Sequence, residues 1–105
     1  MGFSLEDING EVVHMVQACR ALISQNFLYV AITPEEGSWL LTFALESESA
    51  SDREAIEDIE TNFEVLHDRA PEFRVEIKVA PRDPAPPGYP ARLIWVRKRE
   101  YPAEE

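Results

Sequence analysis

The sequence predicts an α+β domain with the element order α-β-β-α-β-β, and three observations carry that expectation. Two segments repeat apolar residues at alternating intervals of three and four, as one face of a helix requires. Four shorter segments are rich in aromatic and β-branched residues or alternate strictly between apolar and polar. Proline, glycine and serine clusters fall between these segments, where chain reversals belong.

The first helix is expected over about residues 5–24. Ser4 with Asp7 forms a capping-box pattern, in which the hydroxyl accepts a free backbone N–H and the acid reaches back. Leu5, Ile8, Val12, Met15, Cys19 and Leu22 then share one stripe, widened by Val16 and Ile23 and slightly weakened by Gly10. FLYVAIT (27–33) and SWLLTFAL (38–45) flank TPEEG, whose Pro34 and Gly37 mark the turn of a β-hairpin. Ser51 with Glu54 suggests a second capping box, followed by the stripe Ile56, Ile59, Phe63, Leu66 and Ala70, with Pro71 ending the helix.

EFRVEIKVA puts Phe73, Val75, Ile77 and Val79 on one face and Arg74, Glu76 and Lys78 on the other, the pattern of a strand with one wet face. In ARLIWVRKR, residues Leu93 to Val96 are all apolar, which argues for a better covered, central strand. A four-stranded antiparallel sheet with both helices on one face satisfies two singly striped helices. The element order is that of a ferredoxin-like chain whose first strand has moved to the end, and the analogy gives the strand order β1-β2-β4-β3. One domain over 1–99 and a frayed acidic tail over 100–105 complete the expectation.

Composition narrows the function. The chain has 105 residues and a formal net charge of −10. Residues 1–71 hold 14 acids against 3 basic residues, whereas residues 72–105 hold 6 against 7, so the excess acid lies in the first two-thirds. Such a field repels nucleic acid and anionic membrane and favours basic protein partners. Arg97, Lys98 and Arg99 beside Trp95 and Tyr101 form the one basic cluster, and strand alternation divides it between faces. A single cysteine, Cys19, rules out an intrachain disulfide and reads as a buried thiol in a reducing compartment. An acidic start without an apolar run argues against a signal peptide, and no apolar run reaches membrane-spanning length, so a cytoplasmic protein is expected.

Chemistry-bearing motifs are few. No Gly-rich phosphate loop, G-x-S-x-G, H-E-x-x-H or C-x-x-C is present, and no catalytic residue or cofactor is assigned. Two Glu-x-x-His pairs occur, Glu11 with His14 and Glu64 with His67, the spacing that di-iron bundles use. At about 100° per residue, His14 and Glu64 lie well over 90° from the centres of their apolar stripes, so these groups are expected to face water without binding metal. PRDPAPPGYP (81–90) contains five prolines, and PGYPAR, with Pro87, Pro90 and Arg92, fits the form that aromatic-lined grooves bind. The competing reading is a stiff loop joining the last two strands.

Apolar residues on both faces of the expected sheet exceed what two helices on one side can cover, which suggests self-association through the second face. The function expected is therefore that of a small acidic protein-interaction domain: a subunit, an adaptor or an inhibitor of the immunity type, acting as a homodimer. Glu57, Asp58, Glu60 and Glu64 on the second helix form its partner surface. The alternative is a small-molecule-binding domain or enzyme with a cleft between sheet and helices.

Overall fold

The computed structural model describes residues 3–69, 71–80 and 85–97. The elements are α1 (Leu5–Ala18), β1 (Phe27–Glu35), β2 (Ser38–Leu45), α2 (Ala50–Val65), β3 (Phe73–Val79) and β4 (Arg92–Val96), in the expected α-β-β-α-β-β order. The expected tail over 100–105 and the basic residues Lys98 and Arg99 lie outside the described residues.

The sheet corrects the expected topology. Its order is β3-β2-β1-β4, not β1-β2-β4-β3, and it is mixed, not antiparallel. The β1–β2 hairpin forms as the sequence suggests, with Val30 opposite Phe43, Ile32 opposite Leu41, and Gly37 taking a left-handed φ of 76° at the turn. From the end of β2, α2 carries the chain back the length of the sheet, so β3 starts beside Trp39 and runs parallel to β2. The unit β2-α2-β3 is thus a βαβ crossover. β4 does not pair with β3 but crosses to the opposite edge and pairs antiparallel with β1. Hairpin loops seldom exceed about five residues, and the connection over 80–91 is far longer.

The uninterrupted apolar run of β4 has a different cause from a central position. Val30 opposes Trp95 and Ala31 opposes Leu93, so Ile94 is the extra residue of a bulge. Ile94 and Trp95 both pack toward the helices, while Leu93 and Val96 are exposed on an edge strand.

One core joins both helices to one sheet face. Met15 and Ala18 of α1 and Ile56, Ile59 and Phe63 of α2 meet Phe27, Val30, Ile32, Trp39, Leu41, Phe43 and Leu45. Phe63 contacts Phe73 edge-on with ring centroids 5.3 Å apart, and Phe3 stacks on Trp39 at 4.1 Å. α1 has the expected capping box: Ser4 Oγ accepts from the Asp7 amide at 3.0 Å, and Asp7 Oδ2 accepts from the Ser4 amide at 3.2 Å. It stops earlier than expected, because Ala21 turns the chain with φ 64°; Leu22 and Ile23 still pack on the core from beyond the helix.

At α2 the cap is Ser49, whose hydroxyl accepts from the Asp52 amide, rather than Ser51. Asp52 is itself buried, and its carboxylate accepts 2.8 Å hydrogen bonds from Ser24 Oγ and Asn26 Nδ2. Asn26 Nδ2 also donates to the Ser47 carbonyl, tying the start of β1 to both ends of the β2–α2 connection.

The second sheet face is largely closed within the single chain. Tyr29, Ala31, Thr42 and Ala44 alternate away from the helices, yet none is more than 3% exposed. The apolar surplus that suggested a second copy is therefore mostly buried already; Leu93 and Val96 of β4 remain exposed there.

Candidate functional site

Helical geometry divides the four acids singled out on α2. At 100° per residue, Glu57, Glu60 and Glu64 fall within an arc of about 60°, whereas Asp58 lies about 100° beyond Glu57 on the other side. Glu60 borders the buried stripe of Ile56, Ile59 and Phe63 and is half-buried. Burial first, and the neighbouring Glu57 and Glu64 carboxylates second, push its carboxyl above the ordinary range. Asp58 is exposed and takes no part in this crowding.

Glu60 and Glu64 form one wall of an open groove of about 510 Å³ between α2 and β3. Pro71, Phe73 and Val75 give it an apolar floor, and Glu72 adds a third carboxylate. The single basic side chain in its lining, Arg74, is engaged elsewhere. Its Nε donates to Glu35 Oε1 at 3.1 Å and its Nη2 to Glu35 Oε2 at 2.7 Å, a bidentate pair that holds the Glu35 carboxyl below the ordinary range. Among the described residues, no ion pair reaches Glu60, Glu64 or Glu72. Among the described residues, the groove gathers three carboxylates without an ion pair beside the apolar side chains of Pro71, Phe73 and Val75.

The proline segment is described over 85–91 only, so Pro81 and Pro84 and the PxxP pairs using them lie outside the described residues. Pro90 is exposed and, with Tyr89, borders a shallow cavity shared with Phe3, Ile8 and Pro34. Arg92 is the first residue of β4 and donates through Nη1 to Asn9 Oδ1 at 3.1 Å. It is built into the sheet and tied to α1, while Pro87 is only partly exposed.

Sequence reasoning set aside a second group that the structure assembles. Glu11, His14 and His67 come together between α1 and the end of α2, with one possible ligand atom from each lying within 4.8 Å of the others. His67 Nε2 stands 2.7 Å and His14 Nδ1 3.1 Å from the same oxygen, Glu11 Oε1. The rings of His14 and His67 lie 4.4 Å apart at 60°. Side-chain exposure is 33% for His14, 16% for Glu11 and 12% for His67, so the expectation that these groups simply face water is corrected for these three, while Glu64 is exposed as expected.

That expectation measured position against the helix–sheet stripe, whereas this cluster sits on the sides by which the two helices meet. His67 also follows the C-cap Leu66, where the helical angle no longer applies. The Glu-x-x-His spacing was the available signal. It supplies Glu11 and His14 as a pair, while Glu64 turns to the groove and leaves His67 to join from across the interface.

A cleft lined by Trp95, about 250 Å³, opens between the end of α1 and β4 beside Val16, Cys19, Arg20 and Ile94. It is largely apolar, and burial pushes the Cys19 thiol up to about 12, which keeps it protonated and unreactive. Trp39 is buried in the core. Among the described residues, no helix is long and apolar enough to cross a membrane.

Fold and site together define a small α+β domain, two helices on one face of a mixed four-stranded sheet, with an acidic groove at one flank. No known protein family, curated protein or solved structure matches the chain.

Proposed function

We propose that the domain works by protein association, taking a basic segment of a partner into the groove between α2 and β3. The observation that carries this reading is the charge arrangement at Glu60. A half-buried carboxylate beside Glu57 and Glu64 costs stability in the free domain, and an incoming Lys or Arg would relieve that repulsion. Glu72 extends the anionic wall, and Phe73 and Val75 offer apolar surface to the stem of a long basic side chain. Arg74 does not compete for the acids because Glu35 holds it.

An inhibitor, a subunit and an adaptor all fit this chemistry, and all require the same contacts. On this reading, within the set Glu57, Asp58, Glu60 and Glu64, the larger effects are expected at Glu60 and Glu64 and the smallest at Asp58. A displayed library of random peptides tests this directly. Selection on the intact chain is expected to enrich Lys- and Arg-rich sequences whose binding weakens with salt, and Glu60→Gln with Glu64→Gln is expected to abolish the enrichment. Enrichment of uncharged sequences, or enrichment unchanged in the double variant, refutes the proposal.

A further inference from the structure

We propose that Glu11, His14 and His67 form a binding site for one divalent first-row transition-metal ion of the zinc type. The donor set is two imidazole nitrogens and one carboxylate oxygen, a combination that suits zinc and its neighbours and not calcium or magnesium, which prefer all-oxygen shells. The site is independent of the acidic groove, to which none of its three residues belongs.

The hydrogen bonding of His67 carries the argument. Its Nδ1 stands 2.7 Å from the Phe63 carbonyl oxygen, which can only accept, so Nδ1 bears a proton. The other nitrogen, Nε2, then points at Glu11 Oε1 from 2.7 Å. Two lone pairs cannot face each other at that distance, so a positive centre must lie between them. A proton can fill that role, and so can a metal ion. An imidazole whose second N–H is held by a backbone carbonyl is the usual outer support of a metal-bound histidine, fixing tautomer and ring direction together.

Distances allow the second option after a small rearrangement. Metal–ligand bonds of about 2.0–2.1 Å place tetrahedral neighbours about 3.4 Å apart. The present separations of 2.7 and 3.1 Å would each open by less than about 1 Å, and the two histidine nitrogens, which lie within 4.8 Å of each other, would settle at the same spacing, all within the reach of side-chain torsions. With three protein ligands, a fourth position remains for water, and the one-third-exposed His14 marks the side from which ion and water enter. In this role the ion clamps α1 to the end of α2, adding to the Glu11–His67 contact and the His14–His67 ring contact already there.

Calorimetric titration of the untagged, chelator-treated full chain with Zn2+ tests the proposal, with Co2+ absorption as a second readout of coordination. One ion per chain is expected. His14→Ala and Glu11→Gln should each weaken binding by at least about 100-fold, while Glu54→Gln on the exposed face of α2 leaves it unchanged. Circular dichroism confirms that each variant is folded, and His14, the most exposed ligand, allows the test even where His67→Ala fails to fold. Binding weaker than millimolar, or binding unaffected by His14→Ala, overturns the proposal and leaves a proton-bridged pair between helices. Because the groove residues are intact in these variants, loss of metal leaves selection of basic peptides unaffected.

Discussion

Replacing Asp52 tests how the second helix is anchored. Its carboxylate is 6% exposed and accepts two hydrogen bonds of 2.8 Å, from Ser24 Oγ and Asn26 Nδ2. A hydrogen bond to a charged group contributes about 1.5–3 kcal/mol when its loss strands the partner. Ser24 is exposed and Asn26 Nδ2 keeps its bond to Ser47, so the lower end applies to each, and Asp52→Ala should cost about 3 kcal/mol. Asp52→Asn keeps the shape: its Oδ1 can accept from Asn26 while its amide donates to Ser24 Oγ, leaving only the charge to lose, about 1 kcal/mol. Urea unfolding followed by tryptophan fluorescence separates the two, since Trp39 is buried in the native state. With a slope of about 2 kcal/mol/M, the midpoint should fall by about 1.5 M for Ala and about 0.5 M for Asn. Equal shifts for the two variants would refute the reasoning, because they would show that the hydrogen bonds contribute nothing beyond the charge.

Glu60 and Cys19 give two further tests. The folded domain holds the Glu60 proton at pH values where the unfolded chain has released it, so stability falls as pH rises above about 4.5 and stays lower beyond the raised folded value. Glu60→Gln should therefore raise the thermal midpoint at neutral pH and flatten its dependence on pH across that window; a lowered midpoint at neutral pH contradicts this. At about 12 against an ordinary 9.0, the Cys19 thiol should carry about 1000-fold less thiolate than a free one and react with a disulfide reagent only as the domain opens. Rapid labelling of the native protein contradicts that placement.

What the sequence revealed depended on the range of the interaction. Local signals gave the elements but not all of their ends: the Ser4–Asp7 box, the hairpin around Gly37 and Ile56, Ile59 and Phe63 of the second stripe appear as read, whereas the second cap is Ser49 and not Ser51, α1 ends at Ala18, and α2 ends at Val65, short of Pro71. Pairing between distant segments was not legible. EFRVEIKV fits an edge strand equally well in parallel or antiparallel register, and the direction of β3 follows from the length of α2. In β4 the apolar run Leu93–Val96 mimicked a central strand because a bulge sends Ile94 and Trp95 to the same side. The cluster of Glu11, His14 and His67 was hidden for a related reason, since a helical wheel reports which side meets the sheet and not which side meets the other helix. The crowding of Glu57, Glu60 and Glu64 follows from spacing alone, but Glu72 and the engagement of Arg74 by Glu35 required the fold.

The most direct test of the groove is an amide chemical-shift map recorded while a short oligolysine peptide is added. The account expects saturable shifts confined to Glu57–Glu64 and Glu72–Val75, weakened by salt and lost in the Glu60→Gln, Glu64→Gln double variant. Shifts spread evenly over all acidic surfaces, or unchanged in the double variant, would show that the net charge of −10 attracts cations without a site.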